Sequence, residues 1–116
     1  MPLATRFFDY ALLMEHHYEH GSDFACTDEY DYLGKACLFL NADLNANPNI
    51  QECTRLNGDV VRFNASTDEY AVAGYDGTIK TYYKPVPAHL APIGTPRGKK
   101  HKFLTNQFYF QDNCTK

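Results

Sequence analysis

The 116-residue sequence has no tryptophan, no C-x-x-C pair and no excess of positive charge. With 11 Lys and Arg against 14 Asp and Glu, its formal net charge is −3, which argues against general electrostatic binding to nucleic acid or anionic membrane. No apolar run approaches the roughly 20 residues that a membrane-spanning helix needs, and the N-terminus shows no secretory pattern. Any polyanion partner would therefore need a local basic site.

The four cysteines are widely spaced and form no ligand pairs: Cys26, Cys37, Cys53 and Cys114. Neither a disulfide scaffold nor a zinc ribbon is indicated by this spacing. We therefore expect reduced cysteines in a chain that works in a cytosol. A domain cut from a larger exported protein would equally show no signal of its own.

Aromatic residues are abundant, with nine Tyr and eight Phe in a sequence that is 44% hydrophobic. A disordered chain would be poorer in these residues. The length fits one domain over residues 1–116, large enough for one hydrophobic core but not for two.

Apolar residues at spacings of three and four predict two N-terminal helices. The first runs from Leu3 to His20, with Gly21 as its stop, and its last-turn histidines face the negative end of the helix dipole, which favours their protonated forms. The second runs from Asp28 to Asn41, with Thr27 as its cap.

After Asn57 the hydrophobic period changes from 3.6 to 2. The segments "GDVVRF", "EYAVAGY" and "TIKTYYK" predict a three-stranded antiparallel meander with a tight "DG" turn. The preceding "NADLNANPNIQEC" is predicted as a loop, the proline-rich segment after Lys84 as an extended connection, and "FLTNQFYF" as a last strand. The predicted fold class is α+β, with two N-terminal helices packed on a curved antiparallel β-sheet.

His16 and His20 lie on one face of the first predicted helix. They could be metal ligands, solvated helix-end histidines, or general acid–base groups, because histidine titrates nearest neutral pH. The sequence has no H-E-x-x-H motif and no third ligand at a recognisable spacing, so we expect no metal and no cofactor.

In a regular third strand, Thr78, Lys80, Tyr82 and Lys84 would point one way and Ile79, Thr81 and Tyr83 the other. Arg62 and Lys84 could hold phosphate oxygens, and the Thr81 hydroxyl could donate to the same group. Taken singly, each is more typical of an ordinary surface residue.

Three segments together resemble a known family: "HHYEHGSDF", "EYDYLGKACLFLN" and "NGDVVRFNASTDEYAVAGYDGTIKTYYKP". In order and spacing they are similar to the barnase, EndoU, colicin and RelE-like (BECR) ribonuclease toxin domains of bacterial polymorphic and contact-dependent inhibition toxins and phage-associated proteins. The resemblance spans His16 to Pro85 and is most specific from Arg62 onward.

The resemblance implies a metal-independent endoribonuclease that cleaves RNA, often tRNA, by 2′-OH attack to leave a 2′,3′-cyclic phosphate. It implies His20 as the acid–base residue, Arg62 and Lys84 as cations near the scissile phosphate, and Thr81 as a phosphate-binding hydroxyl. Tyr83 stands where a Phe is common, so it would be core or an added catalytic hydroxyl. Further predicted substrate contacts are His16, Tyr82, Lys99, Lys100 and Lys102.

Such a toxin would act in the bacterial cytoplasm, delivered there from a secreted parent, and would need a cognate immunity protein as partner. The alternative is a non-catalytic RNA- or protein-binding module. That module would use the tyrosine-rich sheet as a stacking surface and the "RGKKHK" run, Arg97 to Lys102, as an electrostatic contact.

Overall fold

The computed structural model describes residues 4–116 and confirms the α+β class. Its elements in chain order are β1 (Arg6–Phe7), α1 (Tyr10–His20), α2 (Glu29–Asn41), β2 (Ile50–Thr54), β3 (Val60–Asn64), β4 (Tyr70–Ala73), β5 (Thr78–Tyr83), β6 (Val86–Pro87), β7 (Lys100–His101) and α3 (Asn106–Asn113). Within the part of the chain described, no helix is both long and apolar enough to cross a membrane.

Five strands form the main sheet in the order β1-β5-β4-β3-β2. Strands β2 to β5 pair antiparallel, and the predicted three-stranded meander is confirmed as β3, β4 and β5. The φ of +86° at Gly77 confirms the positive-φ "DG" turn. Strand β1 pairs in parallel with β5, so the sheet is mixed rather than purely antiparallel. Strands β6 and β7 form a separate two-stranded parallel pair.

The first helix begins at Tyr10, later than predicted. The Asp9 carboxylate accepts a hydrogen bond from the Leu12 amide at 2.8 Å and so caps the helix. Arg6 and Phe7 form a strand because the edge of the sheet offers them backbone hydrogen-bonding partners on β5. The spacing of apolar residues, from which the helix was predicted, does not reveal these partners. The predicted start, Leu3, lies outside the described residues.

The second helix is capped by Asp28 rather than by Thr27. The Asp28 side chain accepts from the Asp31 amide at 2.8 Å. Helix α1 ends at His20 with Gly21 as its C-cap, as predicted. Gly21 has a φ of −57°, which any residue can adopt, so backbone conformation does not require glycine here. The lack of space for a side chain does, because a Cβ would lie 2.5 Å from Nδ1 of His17.

Two predicted elements are wrong. The supposed loop contains β2, because Ile50 is buried and its segment finds hydrogen-bonding partners along β3. The supposed last strand is α3, whose first turn is capped by the Thr105 hydroxyl accepting from the Phe108 amide. Tertiary partners decided both cases, since neither short segment has a clear period of its own.

The sheet separates two hydrophobic cores, so the expectation of a single core is wrong: a sheet covered on both faces divides the buried apolar residues into two clusters. The larger lies between the sheet and helices α1 and α2: Ala4, Phe7, Leu13, Tyr32, Ala36, Phe39, Leu40, Ile50, Ala71, Ala73, Ile79 and Tyr82. The smaller lies against α3: Val61, Phe63, Tyr70, Val72, Tyr83 and Phe110. Both faces of the sheet are therefore covered.

An irregularity in β5 decides which side chains share a face. Val72 pairs with Thr81 but Ala73 pairs with Ile79, so Lys80 is an extra residue on β5. The bulge moves Ile79 to the Tyr82 side, where a regular pleat would have placed it with Thr81. The prediction that Tyr82 faces away from Thr81 and Tyr83 is confirmed.

A disulfide joins Cys53 of β2 to Cys114 at the end of α3. The expectation of four reduced cysteines is therefore wrong for this pair, while Cys26 and Cys37 are free thiols. The two bonded residues are 61 apart in sequence. They come together because α3 packs against β3, and β3 pairs with β2; both β2 and α3 were missed by the sequence prediction.

Candidate functional site

A groove of about 340 Å³ opens on the α3 side of the sheet. Its lining comes from the end of α1, the turn after β2, strands β4 and β5, the segment just before β7, and α3: His20, Arg55, Tyr70, Val72, Lys80, Thr81, Tyr83, Gly98, Tyr109 and Asn113. We call this the His20 groove. It contains three of the five predicted catalytic residues.

His20 is the last residue of α1 and is only 4% exposed. Its ring stacks on Tyr83 with centroids 4.9 Å apart, and its Nε2 lies 3.5 Å from a Glu19 carboxylate oxygen. Within residues 4–116 its buried Nδ1 has no hydrogen-bond partner. Burial, reinforced by the nearby His16, lowers the pKa of His20 to about 4, so the ring is neutral at pH 7.

The expected preference of the α1 histidines for the protonated form is therefore wrong for His16 and His20. Burial also lowers the pKa of His16, whose ring lies 5.8 Å from that of His20. Desolvation outweighs the favourable helix dipole because both rings pack into the protein instead of pointing to solvent.

Four hydroxyl-bearing residues line the groove with His20: Tyr70, Thr81, Tyr83 and Tyr109. Thr81 is half-buried, and the Tyr83 and Tyr109 hydroxyls hydrogen-bond to each other. Burial first, and the Tyr109 hydroxyl second, raise the pKa of Tyr83 above its ordinary value. The Tyr83 hydroxyl therefore keeps its proton at neutral pH, and Tyr83 is both a core residue and a groove residue.

Two cations, Lys80 and Arg55, reach the groove around the buried carboxylate of Asp59. The Lys80 Nζ lies 3.0 Å from Asp59, and an Arg55 guanidinium nitrogen lies 3.4 Å from it. Burial would raise the pKa of Asp59, but hydrogen bonds from Lys80 and Asn57 lower it below its ordinary value. Because the Lys80 side chain is 51% exposed, its ammonium remains available to an anionic ligand.

The sequence did not predict Arg55, Lys80 or Tyr109 as site residues. Lys80 reaches the groove through the β-bulge, and Tyr109 lies on the helix that was predicted as a strand. The sequence did contain a signal that could have located Arg55, because the "NG" pair within "RLNGD" is typical of a hairpin turn. In the structure this segment is the tight turn between β2 and β3, and the Arg55 amide donates to the Asp59 carbonyl at 2.8 Å.

The structure does not bring Arg62 to His20. Arg62 is buried on the opposite face of the sheet, where its Nε donates to Glu52 at 2.8 Å. Its Nη1 donates to the carbonyl oxygens of Phe39 and Ala42 at 3.0 and 2.8 Å. These bonds fasten the C-terminal end of α2 to the sheet, which is a structural role.

Lys84 and Tyr82 also lie away from the His20 groove. They line a second groove of about 590 Å³, beside α2. The Lys84 Nζ sits 5.6 Å from the centre of the Phe24 ring, while the buried Tyr82 hydroxyl donates to Glu69. Of the predicted catalytic residues, His20, Thr81 and Tyr83 therefore line the groove on the α3 side of the sheet. Arg62 and Lys84 lie on the opposite side, which faces α2.

The three predicted C-terminal lysines differ in environment. Lys99 is buried and paired with Asp23, whereas Lys100 and Lys102 are exposed. Gly98 lines the His20 groove, so this basic segment borders the candidate site. Among the residues described, no group of three or more His, Cys, Asp or Glu side chains is arranged to hold a metal ion.

The sequence matches no protein-family model, and its comparison with curated proteins gives no match.

Proposed function

We propose that this protein is an endoribonuclease that cleaves RNA at the His20 groove. The observation that carries the proposal is the neutral, buried ring of His20 in one groove with Thr81, Lys80 and Arg55. A proton acceptor, a hydroxyl donor and two cations are the groups that phosphodiester transfer within RNA requires.

In this reaction His20 accepts the proton of an RNA 2′-hydroxyl. The 2′-oxygen then forms a bond to the adjacent phosphorus and the bond from phosphorus to the 5′-oxygen breaks. The departing 5′-oxygen takes up a proton from water, and the His20 imidazolium returns its proton to solvent. The products are a 2′,3′-cyclic phosphate and a 5′-hydroxyl. A bound phosphate would add negative charge beside His20 and raise the pKa of its ring towards neutrality, where proton transfer is most efficient.

Lys80, Arg55 and Thr81 would stabilise the charge that develops on the phosphoryl oxygens. Arg55 offers a planar fork of donors and Lys80 a point charge. RNA carries its own nucleophile in the 2′-hydroxyl, so these protein groups suffice for the reaction without a bound metal. Arg62 and Lys84 are not part of this proposal, because they lie on the other side of the sheet.

The resemblance to bacterial toxin domains supports tRNA as the substrate class and an immunity protein as the partner that protects the producing cell. The Cys53–Cys114 disulfide favours delivery through an oxidising compartment, since such bonds form outside the cytosol. The proposed place of action is the cytoplasm of a recipient bacterium.

The test is incubation of total tRNA with the purified protein in EDTA, followed by a denaturing gel and end-group analysis. We expect fragments that end in a cyclic phosphate. The His20→Ala variant should lose on the order of 10²-fold in rate, whereas His89→Ala, which changes an exposed histidine, should keep full activity. Cleavage that survives both His20→Ala and Lys80→Met would reject the assignment.

The non-catalytic alternative retains one favourable observation, the exposed Lys100 and Lys102. Its stacking surface is not available, because Tyr70, Tyr82 and Tyr83 are buried between the sheet and the helices. Salt-sensitive RNA binding without any cleavage product in the same gel would favour this second function.

A further inference from the structure

Helix α3 supplies two residues of the His20 groove, Tyr109 and Asn113. It has only eight residues, and so short a helix is unstable without tertiary contacts. The means by which α3 is held against the sheet therefore matter for the site.

The N-terminal end of α3 is held by side-chain amides. Gln107 and Gln51 exchange two hydrogen bonds of 2.6 and 2.8 Å. Asn106 donates to the Pro85 carbonyl at 2.9 Å and to Asp68 at 3.1 Å. None of these bonds depends on the C-terminal half of the helix.

The C-terminal end is held covalently. Cys114 directly follows Asn113 and is bonded to Cys53 of β2. Arg55, two residues after Cys53, donates through its Nε to the Asn113 carbonyl at 2.7 Å. The Asn113 side chain in turn donates to the Tyr109 carbonyl at 2.8 Å.

Two groups of the candidate site are thus oriented by this end of α3. The Arg55 guanidinium is fixed by Asn113, and the Tyr83 hydroxyl by Tyr109. Tyr83 is also the ring on which His20 stacks. Displacement of the helix end would disturb an active-site cation and the packing around the proton acceptor together.

We propose that Tyr109 and Asn113 are positioning residues of the His20 groove, and that the Cys53–Cys114 disulfide makes their placement depend on the redox state of the protein. The catalytic consequence rests on the proposed function, whereas the placement of α3 does not. In the oxidised protein the groove is complete; in the reduced protein the end of α3 is released.

The reaction is ordinary thiol–disulfide exchange. A dithiol supplies two electrons, the bond between the two sulfurs breaks, each sulfur becomes a thiol, and the dithiol is oxidised to its own disulfide. Strand β2 keeps its pairing with β3 after reduction, since those bonds are independent of Cys114. Release is therefore confined to α3. In the reducing cytoplasm of a recipient bacterium the groove would stay complete only until the disulfide is reduced, so the period of activity there would be limited.

The test compares oxidised protein with protein reduced by dithiothreitol, with tRNA cleavage and amide hydrogen exchange measured on both. Reduction should lower cleavage on the order of 10- to 100-fold, because small displacements of catalytic groups have effects of that size. Amides of α3 should exchange faster, while those of β3 and β4 keep their protection. Cys53→Ser/Cys114→Ser should behave as reduced protein throughout, and Cys26→Ser/Cys37→Ser should respond like the wild type.

Tyr109→Phe separates positioning from stability. It removes the hydroxyl that orients Tyr83, so kcat of the folded, oxidised protein should fall with little change in KM, and the melting temperature should fall modestly because a partly buried hydrogen bond is lost. A merely structural Tyr109 would show the same fall in melting temperature and leave kcat of the folded protein unaltered.

The outcomes distinguish the two proposals. Equal cleavage in both redox states, unchanged exchange of α3, or loss of protection in β3 and β4 as well would overturn the redox-dependent placement. Absence of cleavage in every form, with faster exchange of α3 after reduction, would support that placement and reject the nuclease assignment.

Discussion

The protonation state of His20 is set by a competition between two local effects. The C-terminal end of α1 favours a positive charge, with a stabilisation of typically 0.3–1 kcal/mol, about 2 kcal/mol at most. Removal of a charged imidazole from water costs more than that, and the pKa of His20 accordingly falls to about 4. A ring that is neutral at pH 7 can accept a proton without first having to lose one.

This pKa predicts how stability depends on pH. The pKa of histidine in an unfolded chain is about 6.5, and that of folded His20 is about 4. Between these values the unfolded chain binds more protons, so stability should fall as the pH decreases from neutrality to about 4. The full contribution of this residue is roughly 3 kcal/mol.

Urea unfolding of wild type and His20→Gln, followed across this pH range, measures that contribution. The variant cannot take up the proton, so its stability should depend less on pH. His16 contributes in the same direction and remains in both proteins. Parallel pH profiles for the two proteins would contradict the assignment of a depressed pKa to His20.

At the scale of elements, the link between β3 and α2 runs through Arg62. Its guanidinium satisfies two carbonyl oxygens near the end of α2 and pairs with Glu52. Helix ends leave carbonyl groups without intrahelical partners, so this side chain does for α2 what a cap would do.

Arg62→Met and Lys80→Met should therefore give opposite results. Loss of the buried Arg62 leaves polar groups unsatisfied and should lower the free energy of unfolding by about 2–4 kcal/mol, with nuclease activity per folded molecule retained. Lys80→Met should lower activity with a smaller effect on stability, because Lys80 is half-exposed. Denaturant unfolding and the tRNA assay on both variants check this, and a loss of activity confined to Arg62→Met would contradict the site.

The elements that sequence could predict are those with a strong local pattern. Helices α1 and α2 and the meander have clear periods, which place His20, Thr81 and Tyr83 on these elements, whereas their selection as site residues came from the resemblance. Strand β2 and helix α3 are short segments whose state is decided by tertiary partners. Arg55, Lys80 and Tyr109 depend on a hairpin turn, a bulge and a helix held by a distant disulfide, so local periodicity does not bring them together.

At the scale of the molecule, charge is distributed unevenly along the chain. Residues 7–34 contain seven acidic residues and no Lys or Arg: Asp9, Glu15, Glu19, Asp23, Asp28, Glu29 and Asp31. The segment from Arg97 to Lys102 is basic and borders the His20 groove at Gly98. With a net charge of −3, the protein should therefore attract RNA through this segment rather than over its whole surface.

The exposed pair Lys100 and Lys102 should account for part of the salt dependence of RNA binding. Each cation that contacts a phosphate releases a counterion, so Lys100→Ala/Lys102→Ala should reduce the slope of log affinity against log salt by roughly 1.5. Binding of tRNA to His20→Ala protein, with and without the two lysine changes, measures this slope without cleavage. Arg6→Ala/Lys116→Ala removes the same charge from elsewhere and should leave the slope unaltered. Equal slopes in the two double variants would mean that net charge, and not the segment beside the groove, directs RNA to this protein.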